Sequence, residues 1–203
     1  MRRRTKKPGP PLTARGARTR RKLLAAAERE FGERGFHEAS VSSITRRAKV
    51  AQGSFYTYFA SKDDCFSALV ESVGRDLRRQ LAVAAGRAPH RLAAERAGLE
   101  AFLAFVERHP HLYRIVEESQ FVDPQAHRAY YERIAEGYAA ALEAAAARGE
   151  LAPGDGQVRA WALMGIGHFL GLRYGLWRGR RPDAKTLDEV LRFVERGMGP
   201  RAR

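Results

Sequence analysis

The chain has 203 residues, 44% of them hydrophobic, a formal net charge of +14 and a single cysteine, Cys65. That length suits one two-part architecture or two small domains, and the apolar fraction excludes a fibrous or disordered composition. One cysteine excludes an intrachain disulfide framework and fits a reducing compartment, so a cytoplasmic location is expected.

The excess charge is concentrated at one end. Residues 1–22 hold ten Lys/Arg and no acid, residues 23–62 six against four, and the remainder is nearly balanced. A basic segment on a near-neutral body predicts a polyanion bound at that end, with a solubilising tail as the plain alternative. The N-terminus lacks the apolar segment of a secretory signal.

In chain order, residues 1–17 carry Arg, Lys, Gly and Pro with almost no hydrophobic residue and are expected to form a disordered basic arm. From Thr19, a plausible N-cap, Leu23, Leu24, Ala27 and Phe31 recur at helical spacing, and Gly35 followed by Phe36 marks the end. Arg20, Arg21 and Lys22 would then oppose the dipole at the helix start, a conflict that a phosphate would resolve. A short helix capped by Ser40 turns Val41, Ile44 and Ala48 inward.

The next stretch, Ala51 to Phe59, is rich in aromatic and hydroxyl residues, as a strand would be. Wound as a helix it sorts by face: Phe55, Tyr58 and Phe59 share one side and can pack on Ile44, Ala48, Leu24 and Phe31. Gln52, Gly53, Ser54, Tyr56 and Thr57 then point outward. Gln bonds adenine edges, Ser and Thr serve bases or phosphates, and glycine lets backbone approach a phosphate. Lys62 opens the following helix and is placed for a backbone phosphate.

Longer helices are predicted over about Lys62–Ala85, Arg91–Arg108, Leu112–Glu118, Pro124–Arg148, Gln157–Arg178 and Ala184–Arg196, with Gly/Pro breaks between them. No stretch alternates with period two, so the fold class is all-α. The run "AWALMGIGHFLGLRYGLW" at 160–177 is interrupted by His168 and Arg173 and reads as a buried helix rather than a membrane span.

Residues 19–64, "TRRKLLAAAEREFGERGFHEASVSSITRRAKVAQGSFYTYFASKDD", resemble the N-terminal domain of the TetR family of bacterial transcriptional repressors. The marks are the Phe31/Gly35-Phe36 helix end, Ser40-Val41 with Ile44, the turn Ala48-Lys49-Val50, and "GSFYTYFASKDD". The resemblance implies a three-helix helix-turn-helix domain over 18–63 and a larger effector-binding and dimerisation domain over 64–203. It further implies that Ser40, Ser42, Gln52, Gly53, Ser54, Tyr56, Thr57, Tyr58 and Lys62 line double-stranded DNA. In that reading Tyr56 and Lys62 hold phosphates, and Gln52, Ser54 and Thr57 lie nearest the bases. Two positions depart from the family pattern: Lys49 stands where glycine is usual, and Ala51 where Ser or Thr would cap the third helix. Lys49 can offset left-handed strain by a phosphate contact.

The resemblance also implies a small-molecule pocket in the larger half. Aromatic candidates to line it are Phe102, Phe105, Tyr113, Phe121, Tyr138 and Trp161. Polar candidates are Arg114, Glu117, Gln120, His168 and Arg173, each of which is costly to bury unpaired. A hydrophobic or acidic effector fits such a lining, and the arginines suit an acid or a phosphate-bearing carrier such as an acyl-CoA. Gly167, Gly171 and Gly175 clear one helix face for close approach by the core or by a second subunit. The resemblance places a homodimer interface on helices 157–178 and 184–196. No cofactor, metal site or enzyme is expected: there is no phosphate-binding loop or nucleophile motif, and His109-Pro110-His111 reads as a helix break. The alternative is a basic architectural protein that binds nucleic acid without an effector.

Overall fold

The computed structural model describes residues 13–200, and among them every regular element is helical. The order is α1 (Ala14–Glu38), α2 (Val41–Ala48), α3 (Gln52–Tyr58), α4 (Lys62–Ala85), α5 (Arg91–Arg108), α6 (Pro110–Val122), α7 (Pro124–Ala147), α8 (Gly156–Leu170) and α9 (Ala184–Met198). Among the described residues no helix is long and apolar enough to cross a membrane.

Helix α1 starts earlier than the hydrophobic pattern predicts. Thr13, not Thr19, is the N-cap and accepts from Gly16 N–H at 3.1 Å, while the Thr19 hydroxyl turns back to Arg15 O. Residues 14–17 of the expected arm are therefore helical, and residues 1–12 lie outside the described residues. Arg20 and Arg21 consequently sit beyond the first turn, so the dipole conflict argued for them falls on Arg15 instead. At the other end Gly35 (φ 77°, ψ 167°) kinks the chain so that Phe36 can turn inward.

The remaining ends follow local chemistry. Ser40 and Ser43 form a reciprocal capping box at α2. Lys49 ends α2 in the left-handed region (φ 55°, ψ 47°), as its place in the turn requires. Ala51 provides no side-chain cap for α3. Proline at the first helical position lets α6 begin at Pro110 and run to Val122, longer than predicted. Helix α8 does not continue unchanged to 178: residues Gly171–Leu176 widen into a π-turn, in which Trp177 N–H reaches Leu172 O at 3.0 Å.

One core joins the small N-terminal helices to the rest. Leu23, Ala27, Phe31, Ile44, Phe55 and Phe59 pack with Phe66, Leu69 and Val70 of α4. Phe66 meets Phe31 and Phe36 edge-on at 5.2 and 5.1 Å. Arg47 of α2 ties back to α1, donating to Glu30 at 2.5 Å and, as a fork, to Glu33 at 2.9 and 2.6 Å. A second cluster, centred on Leu142, Ala145, Leu151, Ala160 and Val194, joins α7, α8 and α9.

Candidate nucleic-acid interface and the cavity behind it

Helix α3 is divided by face. Phe55 and Phe59 are 0% and 1% exposed, and Tyr58 packs half-buried against the same core. Gln52, Gly53 and Thr57 are exposed, Tyr56 is 53% exposed, and Ser54 is half-buried. A Cβ on Gly53 would meet nothing within 4 Å, so this backbone is open to close approach.

Around α3 the structure gathers further polar groups. Ser40 and Ser42 are exposed at the start of α2, and Lys49 at its end. Arg46, which the sequence reading passed over, is exposed and follows Ser42 by four residues, so these two share a face of α2, with exposed Lys49 just beyond the helix end. The i, i+4 spacing from Ser42 was the available signal. Arg21 is exposed, whereas Arg20 is half-buried with its guanidinium 5.3 Å from the Phe59 ring centre.

Lys62 corrects the sequence reading. Its ammonium donates to Phe36 O at 2.7 Å, His37 O at 3.3 Å and Ala39 O at 2.8 Å, and lies 4.3 Å over the Phe36 ring. All three protons are taken by carbonyls left open where α1 ends. The residue is thus an internal clasp between α4 and α1 rather than a free phosphate ligand.

In the larger half, a cavity of about 560 Å³ opens between α4, α5, α7, α8 and α9. Of the expected lining, Phe102, Tyr113, Tyr138 and His168 are present. Glu117, Gln120, Trp161 and His168 border an adjoining cavity of about 370 Å³. Four candidates lie elsewhere. Phe105 is sealed in the core; Phe121, Arg114 and Arg173 are exposed outside both cavities. Helical spacing shows which residues share a helix face but not which neighbour that face meets, and these four face away from the space.

The cavity's polar groups are organised. The Tyr113 hydroxyl lies 3.0 Å from both His168 O and His168 Nδ1; when its proton goes to the carbonyl, the phenol oxygen can accept from Nδ1–H. Tyr131 donates to Glu117 at 3.3 Å. Burial pushes both phenols up, so they remain hydrogen-bond donors at neutral pH. At the far end Arg91 pairs with buried Glu95 at 2.5 Å, and Tyr138 donates to the same carboxylate.

Helix α6 touches both regions. Tyr113 forms cavity wall, while Glu118 accepts Phe36 N–H at 2.8 Å and His111 Nδ1 lies 3.0 Å from Gly32 O. The fit to α1 is close: a Cβ on Gly32 would stand 2.4 Å from His111 Cβ. The glycines of α8 and of the π-turn that follows it also find their neighbour. Gly167 and Gly171 face Phe102, and a Cβ on Gly175 would fall 2.4 Å from Val106 Cγ1, so this small-residue face packs on α5 of the same chain.

A short helix seated on a three-helix core by its aromatic face, with a polar face outward and a left-handed turn before it, is the architecture of a helix-turn-helix regulator. Residues 23–69 match the family profile of bacterial regulatory proteins, tetR family. The HTH-type transcriptional regulator YdgC of Bacillus subtilis is 41% identical over 68 residues, 34% of this chain and 35% of its own. The HTH-type transcriptional activator FasR of Mycolicibacterium smegmatis is 32% identical over 107 residues, 52% of this chain and 49% of its own. The chain thus spans about a third to a half of the length of these curated relatives. A solved TetR-like transcriptional regulator from Rhodococcus sp. RHA1 superposes with a TM-score of 0.68 at 26% identity, covering 92% of this chain and 98% of that one. Residues 23–69 thus match the TetR family of transcriptional regulators, and the chain as a whole has the fold of a TetR-like regulator.

Proposed function

We propose that the protein is a cytoplasmic, ligand-responsive homodimeric repressor that binds a near-palindromic operator and is released by a hydrophobic or acidic effector. The observation that carries this reading is the division of α3: Phe55 and the following Phe59 are sealed inside, and Gln52, Tyr56 and Thr57 face outward together. In this reading residues 18–63 read DNA and residues 64–203 sense the effector. Gln52, Ser54 and Thr57 address bases; Tyr56, Ser40, Ser42, Arg46, Lys49 and Arg21 address the backbone. Lys62 contributes by holding α1 to α4.

The homodimer is supported by apolar surface. Val158, Trp161 and Phe169 of α8, Trp177 just beyond the π-turn, and Phe193 of α9 are large hydrophobic side chains exposed in the single chain. A second copy covering them would pair two α3 helices at the roughly 34 Å spacing of successive major grooves. Coupling would run through α6. An effector against Tyr113 moves the helix whose Glu118 and His111 grip the end of α1, and the preference for one orientation of α3 shifts with it.

Selection of bound duplexes from a random pool tests the reading. The full chain should enrich a two-fold motif with half-sites about one helical turn apart. The double variant Gln52→Ala, Thr57→Ala should retain salt-sensitive binding but lose the motif. An unchanged motif in that variant would refute α3 as the reading element. A reporter carrying the motif reads the sign of the response, since the relative FasR is named an activator.

A further inference from the structure

Three arginines line the large cavity, and they are not equivalent. Arg91 is paired with Glu95, and Arg133 reaches Glu71 at 3.4 Å. Arg78 of α4 is half-buried and has neither a hydrogen bond nor an ion pair among the described residues. It sits beside Tyr130 where Gly74 leaves room: a Cβ on Gly74 would lie 2.9 Å from Tyr130 Cδ2 and 3.2 Å from Arg78 Nη1. A guanidinium with five donors, partly withdrawn from water and facing a cavity, is matched by a carboxylate.

The middle of the cavity shows a second feature. Gly98 lies between Glu95 and Phe102 on the cavity stripe of α5, and Gly137 between Ile134 and Ala141 on that of α7. Both are interior helical positions, where glycine is less stable than alanine. Neither is required by crowding, because a Cβ at either would meet nothing within 4 Å. Neither has the positive φ that would require glycine. What the missing side chains preserve is open volume, bordered by Leu81, Leu99, Ile134 and Leu163. From Arg78 to Ala85, helix α4 runs roughly 10 Å along this space.

We propose that the cavity holds an amphipathic monocarboxylate, its carboxylate on Arg78 and its apolar chain between Gly98 and Gly137, which together set the girth of ligand admitted. This rests on the ligand-responsive reading above and names the ligand class for it. A free acid is favoured over an acyl-CoA, because its carboxylate sits at the end of the apolar chain itself, whereas a CoA thioester puts a neutral group there and holds its phosphates well beyond it.

The test uses the full chain with octanoate and decanoate, the matching primary alcohols and decanoyl-CoA, read by calorimetry and by thermal shift. One of the acids should bind at least tenfold tighter than its alcohol. Arg78→Met should erase that acid-over-alcohol ratio while leaving alcohol binding unchanged. Gly98→Leu and Gly137→Leu should weaken acid and alcohol alike by tenfold or more. Gly98→Ala and Gly137→Ala should raise the ligand-free Tm by about 2–4 °C each, which reports the helix penalty independently of any ligand. Absence of acid binding, a ratio that survives Arg78→Met, tighter binding of decanoyl-CoA, or full binding in both leucine variants would each overturn the proposal. Motif release is read separately. An acid that binds without releasing DNA counts against the repressor reading alone; a compound that releases DNA without competing with the acid counts against this proposal alone.

Discussion

Lys49 offers a perturbation whose effects on folding and on DNA should have opposite signs. It is the non-glycine residue with positive φ among those described, at φ 55° and ψ 47°, and its N–H closes the end of α2 on Arg46 O at 3.2 Å. An L-residue there costs about 1–2 kcal/mol. Glycine removes that strain but adds about 0.5–1 kcal/mol of unfolded-chain entropy. Lys49→Gly should therefore stabilise the protein by about 0.5–1 kcal/mol, seen as a higher urea midpoint at unchanged m-value. The same change removes a charge beside the Ser42–Arg46 face. If that surface meets phosphates, the slope of log K against log salt should fall by about 0.9 per protomer. Lys49→Asn separates the two effects, since asparagine tolerates the left-handed region while lacking the charge. A Lys49→Gly protein no more stable than the parent would refute the strain argument. An unchanged salt slope in both variants would remove Lys49 from the DNA face.

Other expectations follow from neighbouring observations. Ala51 has the extended backbone of an N-cap without a side-chain cap bond, and Ser54 N–H already donates to Ala51 O at 2.9 Å, so Ala51→Ser should stabilise by about 0.5–1 kcal/mol through a bond from Gly53 N–H, measured by urea unfolding; no gain would mean α3 is limited elsewhere. Cys65 is sealed in the core, and its thiol is pushed up to about 12, chiefly by burial; thiol reagents at mild alkaline pH should label it only at the rate of unfolding. Fast labelling in the native state would contradict that burial. Glu28 is raised above the ordinary carboxylate value of 4.5, chiefly by burial, with His109, Arg29 and His111 pulling the other way. Folded Glu28 therefore holds its proton to higher pH than the unfolded chain does, and stability is lost as pH rises through the raised value. Glu28→Gln should gain Tm relative to the parent as pH rises from below the ordinary value of 4.5 to neutrality, and a constant difference would refute the shift.

Much of the reading head was legible in the chain itself. Helical spacing separated Phe55 and Phe59 from Gln52 and Thr57, because the face a residue occupies is a property of a few consecutive residues, whereas the left-handed backbone of Lys49 was suggested only by the glycine usual at that place in the family and was decided by the structure. Glycine and proline punctuation likewise placed α4 and α5. The start of α1 was missed because Thr13 caps a first turn that carries no apolar stripe, so periodicity was silent there.

Tertiary structure decided where those faces point. Lys62 looks free in sequence, yet Gly35 turns the end of α1 so that Phe36 O, His37 O and Ala39 O converge on its ammonium. The cavity is further from local reach still: its acid–base pair joins Arg91 and Glu95 to Tyr138, more than forty residues away, and its open middle depends on Gly98 and Gly137 facing one space from different helices. Local chemistry sets which helices form and which residues share a side; only their packing determines which side encloses a void, because a void is made by what several distant segments leave unfilled.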